Sequence, residues 1–86
     1  MRATVVIRPK TGILDPQGEA VQASLHKLGF PVTQARVGRV VDLELETDDV
    51  VEARAQLERM ADELLANPLI ESFEIELEIE IEVERP

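Results

Sequence analysis

The stretch VVDLELETDDVVEARAQL, residues 40–57, contains the change from strand to helix that decides the fold. Residues 41–46 alternate apolar and acidic side chains, a period of two that is typical of a strand with one buried and one wet face. Asp49 then precedes Glu52 by three residues, the spacing of a capping box at a helix N-terminus. The stretch therefore predicts a strand that runs directly into a helix.

The residues before this stretch predict a strand and a helix. ATVVI, residues 3–7, is rich in β-branched side chains, which favour a strand. Asp15 and Pro16 are typical of a helix N-cap and a first helical position, and Gly29 is typical of the residue that closes a helix. We expect a first strand followed by a helix over about 16–28.

Two further strands complete the predicted pattern. Gly38 and Arg39 fit a tight hairpin turn that would join a strand over residues 32–37 to the strand of the opening stretch. An Asn-Pro pair ends the second helix. FEIELEIEIEVE, residues 73–84, then alternates apolar residues with glutamate without a break, which predicts a last, long strand.

Both predicted helices carry an apolar stripe at helical spacing. Gly18 lies close to the first stripe, where a missing side chain allows a close backbone approach. The stripes consist of Val21, Leu25 and Leu28 in the first helix, and of Val50, Ala53, Leu57, Met60, Ala61 and Leu64 in the second.

The order strand, helix, strand, strand, helix, strand predicts an α+β fold in a single domain over residues 1–86. The commonest arrangement is the ferredoxin-like split β-α-β sandwich (βαββαβ), a four-stranded antiparallel sheet in the order 4-1-3-2 with two helices on one face. The residues expected to face the helices are Ala3, Val5, Ile7, Val41, Leu43, Leu45, Phe73, Ile75 and Leu77.

The last strand is predicted to extend beyond the domain. Residues 71–84 would reach ~46 Å at about 3.3 Å per residue, whereas a compact chain of this length has a radius of gyration of ~12 Å. Ile79, Ile81 and Val83 would then lack a surface of their own chain to pack on. We expect the acidic extension, residues 79–86, to serve self-association as a homodimer or tetramer.

Composition excludes several classes of function. The net charge is −9, and residues 71–86 alone hold seven glutamates and one arginine. With two phenylalanines as its only aromatic residues, the chain lacks the charge and the stacking platforms of nucleic-acid binders. No apolar run is long enough for a bilayer, no leader is recognisable and no cysteine is present. We expect a cytoplasmic protein with neither nucleic acid nor membrane as partner.

The sequence contains no recognisable catalytic or metal-binding motif. It has neither a metal-ligand cluster nor a nucleophile motif, and its four glycines are too scattered for a phosphate loop. His26, the single histidine, projects away from the apolar stripe and is interpreted as a surface residue. Asp42, Glu44 and Glu46 lie on the predicted wet face. We therefore expect no catalytic residue and no metal site.

A basic cluster is predicted at one end of the sheet. The topology brings Arg8, Lys10, Arg36 and Arg39 together there. Such a cluster can bind a phosphate or an acidic patch of a partner protein. It can equally serve to offset nearby acidic residues of a protein with excess negative charge, and the sequence leaves both interpretations open.

Three segments resemble one known family. PKTGILDPQGEAVQASLHKLG, residues 9–29, is similar to the characteristic turn and first helix of PurS, the small subunit of phosphoribosylformylglycinamidine synthase. VGRVVDLELE resembles the hairpin that leads into the family's third strand, and ELLANPLIESFEIE resembles its ending. Phe73 stands where many members have tyrosine, and the family varies after about residue 78.

The resemblance implies a role in de novo purine (IMP) biosynthesis. PurS proteins join a glutaminase subunit (PurQ type) and an ATP-dependent synthetase subunit (PurL type), which together convert formylglycinamide ribonucleotide to formylglycinamidine ribonucleotide. The small subunit has no active site of its own. It acts as a dimer that bridges the other two and supports ammonia transfer. ATP, Mg and glutamine are used by the partners, so no cofactor is expected on this chain.

The candidate partner contacts lie in the 9–18 loop and the 36–39 hairpin. Asp15 also has a structural explanation as the N-cap, whereas Gln17 has none. The six candidates are Lys10, Asp15, Gln17, Gly18, Arg36 and Arg39.

Two alternative functions share the predicted fold. An ACT-like ligand-binding regulatory domain would need a small-molecule pocket at a dimer interface. An acylphosphatase-like enzyme would need an arginine and an asparagine around a phosphate loop, but Asn67, the single asparagine, is predicted at a helix end.

Overall fold

A computed structural model describes residues 1–78 of the chain. The elements are β1 (Arg2–Pro9), α1 (Pro16–Lys27), β2 (Arg39–Glu44), α2 (Val50–Met60), a π-helical turn (Ala61–Leu65) and β3 (Glu71–Glu78). The predicted self-association residues Ile79, Ile81 and Val83 lie outside the described residues, as does the rest of the 79–86 extension.

The strands form an antiparallel sheet with β1 in the centre, in the order β2-β1-β3. Val5 is opposite Val41 on one side and Ile75 on the other, so the inward-facing residues form rows across the sheet. The predicted α+β class, the antiparallel sheet and the two helices are confirmed. The fourth strand, predicted over residues 32–37, is not found in the described part of the chain.

The hydrophobic core lies between the sheet and α2. Val5 and Ile7 of β1 and Leu57 of α2 have no exposed surface. Ala53 and Ala61 are also fully buried, and their small side chains let the helix lie close to the sheet. The partly buried apolar residues packed on this core are Val41, Leu43, Leu45, Met60, Leu65, Phe73, Ile75 and Leu77.

α2 begins and ends for identifiable reasons. Asp49 accepts hydrogen bonds from the backbone N–H groups of Val51 (2.9 Å) and Glu52 (3.2 Å), which confirms the predicted N-cap. At the other end the helix widens into the π-helical turn. The wider turn changes which face of the helix each residue occupies. Leu65 therefore packs on the core, whereas Leu64, which the sequence pattern placed on the buried stripe, is 83% exposed.

α1 does not pack on the sheet of its own chain. None of its residues belongs to the hydrophobic core, and Gly18 is its single buried residue. Val21 is 42% exposed and Leu28 is 72% exposed, so the predicted apolar stripe faces away from the core. The expectation of two helices packed on one sheet face is therefore wrong for α1 in this structure.

The segment after α1 explains the missing strand. Residues 31–38, called the arm below, run back along α1 and hydrogen-bond to its side chains instead of to a strand. Thr33 O accepts from Gln22 Nε2 (3.1 Å), and Val32 O lies 2.6 Å from His26 Nε2. The arm reaches β2 at Gly38, where a Cβ atom would collide with the carbonyl of Ile7.

We expect Leu57→Ala to lower the free energy of unfolding by about 2–5 kcal/mol, because it leaves a cavity at the centre of the core. Leu64→Ala, at an exposed position of the same helical segment, should change it by no more than about 0.5 kcal/mol. Chemical denaturation at fixed protein concentration measures both. Equal effects of the two substitutions would contradict the described helix orientation.

Candidate functional site

Asp15 links α1 to the arm. Its Oδ1 accepts the backbone N–H of Gly18 (3.0 Å), and its Oδ2 accepts the backbone N–H of Val37 (2.9 Å). These two hydrogen bonds, that from Gly18 first, lower the pKa of the Asp15 carboxyl below its ordinary value. Both oxygens are thus occupied within the chain, and Asp15 fixes the position of neighbouring residues.

Gly18 is buried because the arm passes directly over it. A Cβ atom at this position would collide with the carbonyl oxygen of Ala35 and with the Asp15 carboxylate. The predicted close backbone approach is therefore present, although the neighbour is the arm and not the sheet. Together with the Asp15 bonds, this contact makes α1 and the arm one structural unit.

Arg39 lies at the start of β2 and is held by its own chain. Its guanidinium makes two hydrogen bonds to Glu71, of 2.6 and 2.9 Å, and a third to the carbonyl of Leu65 (2.6 Å). Glu71 also accepts the backbone N–H of Asn67 (2.8 Å). These contacts join β2, β3 and the end of the π-helical turn.

The pKa of Glu71 is lowered, first by the hydrogen bond from Arg39 and then by the one from the Asn67 N–H. Because the Arg39 side chain is 52% exposed, solvent screens the pair. The Arg39–Glu71 pair therefore fixes the relative position of β2 and β3 more than it adds to the free energy of folding.

Two other residues of the predicted basic cluster also have partners within the chain. Arg8 lies 3.5 Å from the Glu74 carboxylate on the neighbouring strand. Lys10 Nζ donates to the carbonyl of Pro68 (2.6 Å), and its backbone N–H donates to the carbonyl of Ile70 (2.8 Å). These contacts favour the interpretation in which the cations offset nearby acceptors, and they join the 9–18 loop to the turn before β3.

Gln17 and Arg36 differ from the other candidates. Both are exposed, and neither side chain has a hydrogen bond or ion pair with another described residue. Arg36 lines an open hollow together with Lys10 and Leu14. Gln17 and Leu14 line a second hollow on the other side of the loop, with Ile70 opposite. The 9–18 loop thus forms a ridge between the two hollows.

Exposed apolar residues on this ridge and in the turn before β3 were not predicted from the sequence as part of the site. Leu14 is 72% exposed, Leu69 is 82% exposed and Ile70 is 44% exposed. The sequence does contain a sign of them, because the apolar pairs Ile13-Leu14 and Leu69-Ile70 stand in segments with turn residues on both sides. Large apolar side chains that cluster on a surface are typical of a protein-protein contact.

Residues 1–78 contain no group of three or more histidine, cysteine, aspartate or glutamate side chains arranged to hold a metal ion. No helix in the same range is long and apolar enough to cross a membrane.

Comparison with known proteins identifies the family. Residues 2–79 match the family model described as PurS, phosphoribosylformylglycinamidine (FGAM) synthase. The chain belongs to the PurS family. The subunit PurS of phosphoribosylformylglycinamidine synthase from Synechocystis is 44% identical over 77 residues, which cover 88% of this chain and 75% of the relative. The PurS subunit of Methanocaldococcus jannaschii is 36% identical, with 88% of this chain and 93% of the relative covered.

Solved PurS structures have the same fold. Bacillus subtilis PurS superposes with a TM-score of 0.78 at 33% identity, covering 87% of this chain and 94% of that one. A chain of the PurLQS structure from Thermotoga maritima gives a TM-score of 0.80 at 28% identity, covering 87% and 93%. The resemblance stated from the sequence is thereby confirmed, and with it the role of a subunit of phosphoribosylformylglycinamidine synthase, a ligase complex of purine biosynthesis.

We expect Glu71→Gln to reduce the dependence of stability on acid pH. Because the pKa of Glu71 is lower in the folded chain than in the unfolded chain, the unfolded state binds its proton first as the pH falls. Its stabilising effect is complete above the ordinary carboxyl pKa and is lost as the pH falls from about 5 through the lower, folded-state value.

Unfolding experiments between about pH 7 and pH 3 test this expectation. The original chain should lose more stability over this range than Glu71→Gln. Glu76→Gln serves as the matched control, because Glu76 is on the same strand and exposed, with no ion pair within the described residues. The same acid-induced loss in all three proteins would contradict a role for the Arg39–Glu71 pair.

Proposed function

We propose that this chain is a non-catalytic assembly subunit that bridges the glutaminase and ATP-dependent synthetase subunits and supports ammonia transfer between them. The main observation in support of this proposal is that the chain matches PurS subunits over nearly its whole length, including a chain of the PurLQS structure of Thermotoga maritima. PurL-type and PurQ-type subunits are accordingly its proposed partners.

The roles of the described polar residues support a non-catalytic function. Asp15, Arg39 and Glu71 are occupied by hydrogen bonds that hold segments of the chain together. A general acid or base needs a proton that it can exchange with a substrate, and a nucleophile needs an activating neighbour. In this proposal the chain binds no cofactor or metal, and the partners use ATP, Mg and glutamine.

The proposed partner surface is the ridge of the 9–18 loop. Lys10 and Gln17 are exposed on it, next to the exposed Leu14. Arg36 of the arm is exposed in the hollow beside it. An apolar centre with a polar rim is the usual composition of a protein-protein interface. Asp15, Gly18 and Arg39 contribute indirectly, since they hold the loop, the arm and β2 in position.

Self-association through the 79–86 extension is part of the same proposal. Ile79, Ile81 and Val83 would pack on a second copy of the chain, as a homodimer or tetramer, while the intervening glutamates remain in water. The protein is proposed to act in the cytoplasm, without contact to nucleic acid or membrane. The ACT-like and acylphosphatase-like alternatives are not favoured, because the relatives and structural neighbours are PurS proteins.

We expect glutamine-dependent synthesis of formylglycinamidine ribonucleotide by the synthetase and glutaminase subunits to require this chain. The isolated chain should show neither glutaminase nor ligase activity. An activity assay of the two larger subunits, with and without the chain, tests both statements. Full glutamine-dependent activity without the chain would contradict the proposed function.

We expect Gln17→Ala and Lys10→Ala to weaken binding to the partner subunits by roughly tenfold or more, the effect of losing one well-placed contact of about 1.4 kcal/mol. Gln56→Ala is the matched control, because Gln56 is an exposed glutamine on α2. Co-purification with the partner subunits in the presence of glutamine and ADP measures assembly. If both loop variants assemble like the control, the ridge is not the partner surface.

A further inference from the structure

The 9–18 loop, the arm and the turn before β3 border a hollow of about 400 Å³, called the loop–turn hollow below. Ile13 and Leu14 line it from the loop, and Ile70 lines it from the turn. All three side chains are exposed. Mostly apolar walls and a volume between roughly 300 and 1,000 Å³ are typical of sites that bind a ligand. The apolar residues of the wall are Pro9, Ile13, Leu14, Pro16, Val37 and Ile70.

Gln17 provides a polar group in this wall that is available for binding. Its side chain is exposed and makes no hydrogen bond to another described residue, whereas Asp15, Arg39 and Glu71 are occupied within the chain. An amide group can both donate and accept a hydrogen bond, which is what a backbone peptide group requires of a partner. The hollow thus offers apolar contacts together with hydrogen bonds to a neighbouring peptide group.

Each charge in the wall already has a partner within the described residues. Glu71 neutralises Arg39, and two backbone N–H groups stabilise the Asp15 carboxylate. A small molecule with a phosphate or carboxylate group needs a cation with which to pair. The 79–86 extension is also a poor match, because glutamates flank each of its apolar residues. Charge complementarity therefore favours an uncharged, apolar occupant.

Hydrogen bonds within the chain hold the walls of the hollow together. The backbone N–H of Lys10 donates to the carbonyl of Ile70 (2.8 Å) and joins the loop to the turn. The N–H of Ile70 donates to the carbonyl of Asn67 (3.1 Å) and closes the turn itself. The bond from Val37 to Asp15 holds the arm. A site formed in advance avoids the loss of conformational entropy that ordering its walls on binding would cost.

We propose that the loop–turn hollow receives a large apolar side chain from a segment of the synthetase or the glutaminase subunit, while the Gln17 amide bonds to the backbone of that segment. This contact presupposes the proposed function, and it specifies where and by what chemistry a partner is held. The hollow is continuous with the ridge, the proposed partner surface. A stable interface buries about 800 Å² per partner, so the hollow is an anchor point within a wider contact.

Photocrosslinking identifies the occupant, because the chain contains no cysteine and a single label can be attached to it. Leu69→Cys carries a benzophenone at an exposed position of the turn, next to the hollow but not in its wall. The labelled chain is assembled with both larger subunits in the presence of glutamine and ADP, and is then irradiated.

Mass spectrometry should find the label on a segment of one larger subunit that contains a large apolar residue. The yield should exceed that of labelled Val51→Cys, on exposed α2, by at least about tenfold, because a bound segment has a high effective concentration at the label.

Substitution of Leu14 tests the chemistry of the wall. Leu14→Asp places a carboxylate in the hollow, and because Leu14 is 72% exposed, folding should persist. The dissociation constant for the partner subunits should rise at least about tenfold. Leu14→Met keeps an apolar side chain of similar volume and should stay within about twofold of the original chain. Val51→Asp, on α2, should leave the dissociation constant unchanged.

Three results would overturn the proposal in a complex that assembles. Equal dissociation constants for Leu14→Asp and the original chain would show that the hollow is not in the contact. A crosslink to a second copy of the chain would assign the hollow to self-association. Loss of the crosslink in inorganic phosphate, but not in sodium chloride of the same ionic strength, would show that the hollow binds an anion. Failure of the original chain to assemble with the larger subunits would instead contradict the proposed function itself.

Discussion

The Asp15 carboxylate determines where α1 lies. One oxygen accepts the N–H of Gly18 and thereby starts the helix, and the other accepts the N–H of Val37 in the arm. Both bonds favour the deprotonated carboxylate, and both therefore lower its pKa. With the arm held along the helix, residues 32–37 cannot form an edge strand. The three-stranded sheet, the uncovered stripe and the exposed 9–18 loop all follow from this one group.

Three of the nine lysine and arginine residues of the chain hold one end of the fold together. Arg39 joins Glu71 to the carbonyl of Leu65, Lys10 reaches the carbonyl of Pro68, and Arg8 faces Glu74. Such partly exposed contacts add little free energy, but they define the geometry of the loops that meet at this end. The loops that they support carry exposed apolar residues, among them Leu14 and Ile70. This is consistent with a family whose members are subunits of an assembled synthase.

Features of the structure that depend on neighbouring residues were predicted correctly from the sequence. The Asp15 and Asp49 caps, the alternation in β2 and β3 and the burial of Leu57 depend on near neighbours, so the sequence reveals them. One error is local, because the π-helical turn moves Leu64 off the buried stripe. The other errors concern distant contacts. Gly38-Arg39 has the chemistry of a hairpin turn, but the competing bond from Val37 to Asp15, twenty-two residues away, removes the strand that would form the hairpin. Likewise, the apolar stripe of α1 predicted a buried face, but the sequence does not reveal that the helix lies off the sheet of its own chain.

Hydrogen exchange of backbone amides, measured over a range of protein concentrations, tests most directly whether α1 lies outside the core of its own chain. At concentrations where the chain is monomeric, the amides of α1 should exchange much faster than those of β1, which is buried in the core. Equal protection of α1 and β1 in the monomer would contradict this account.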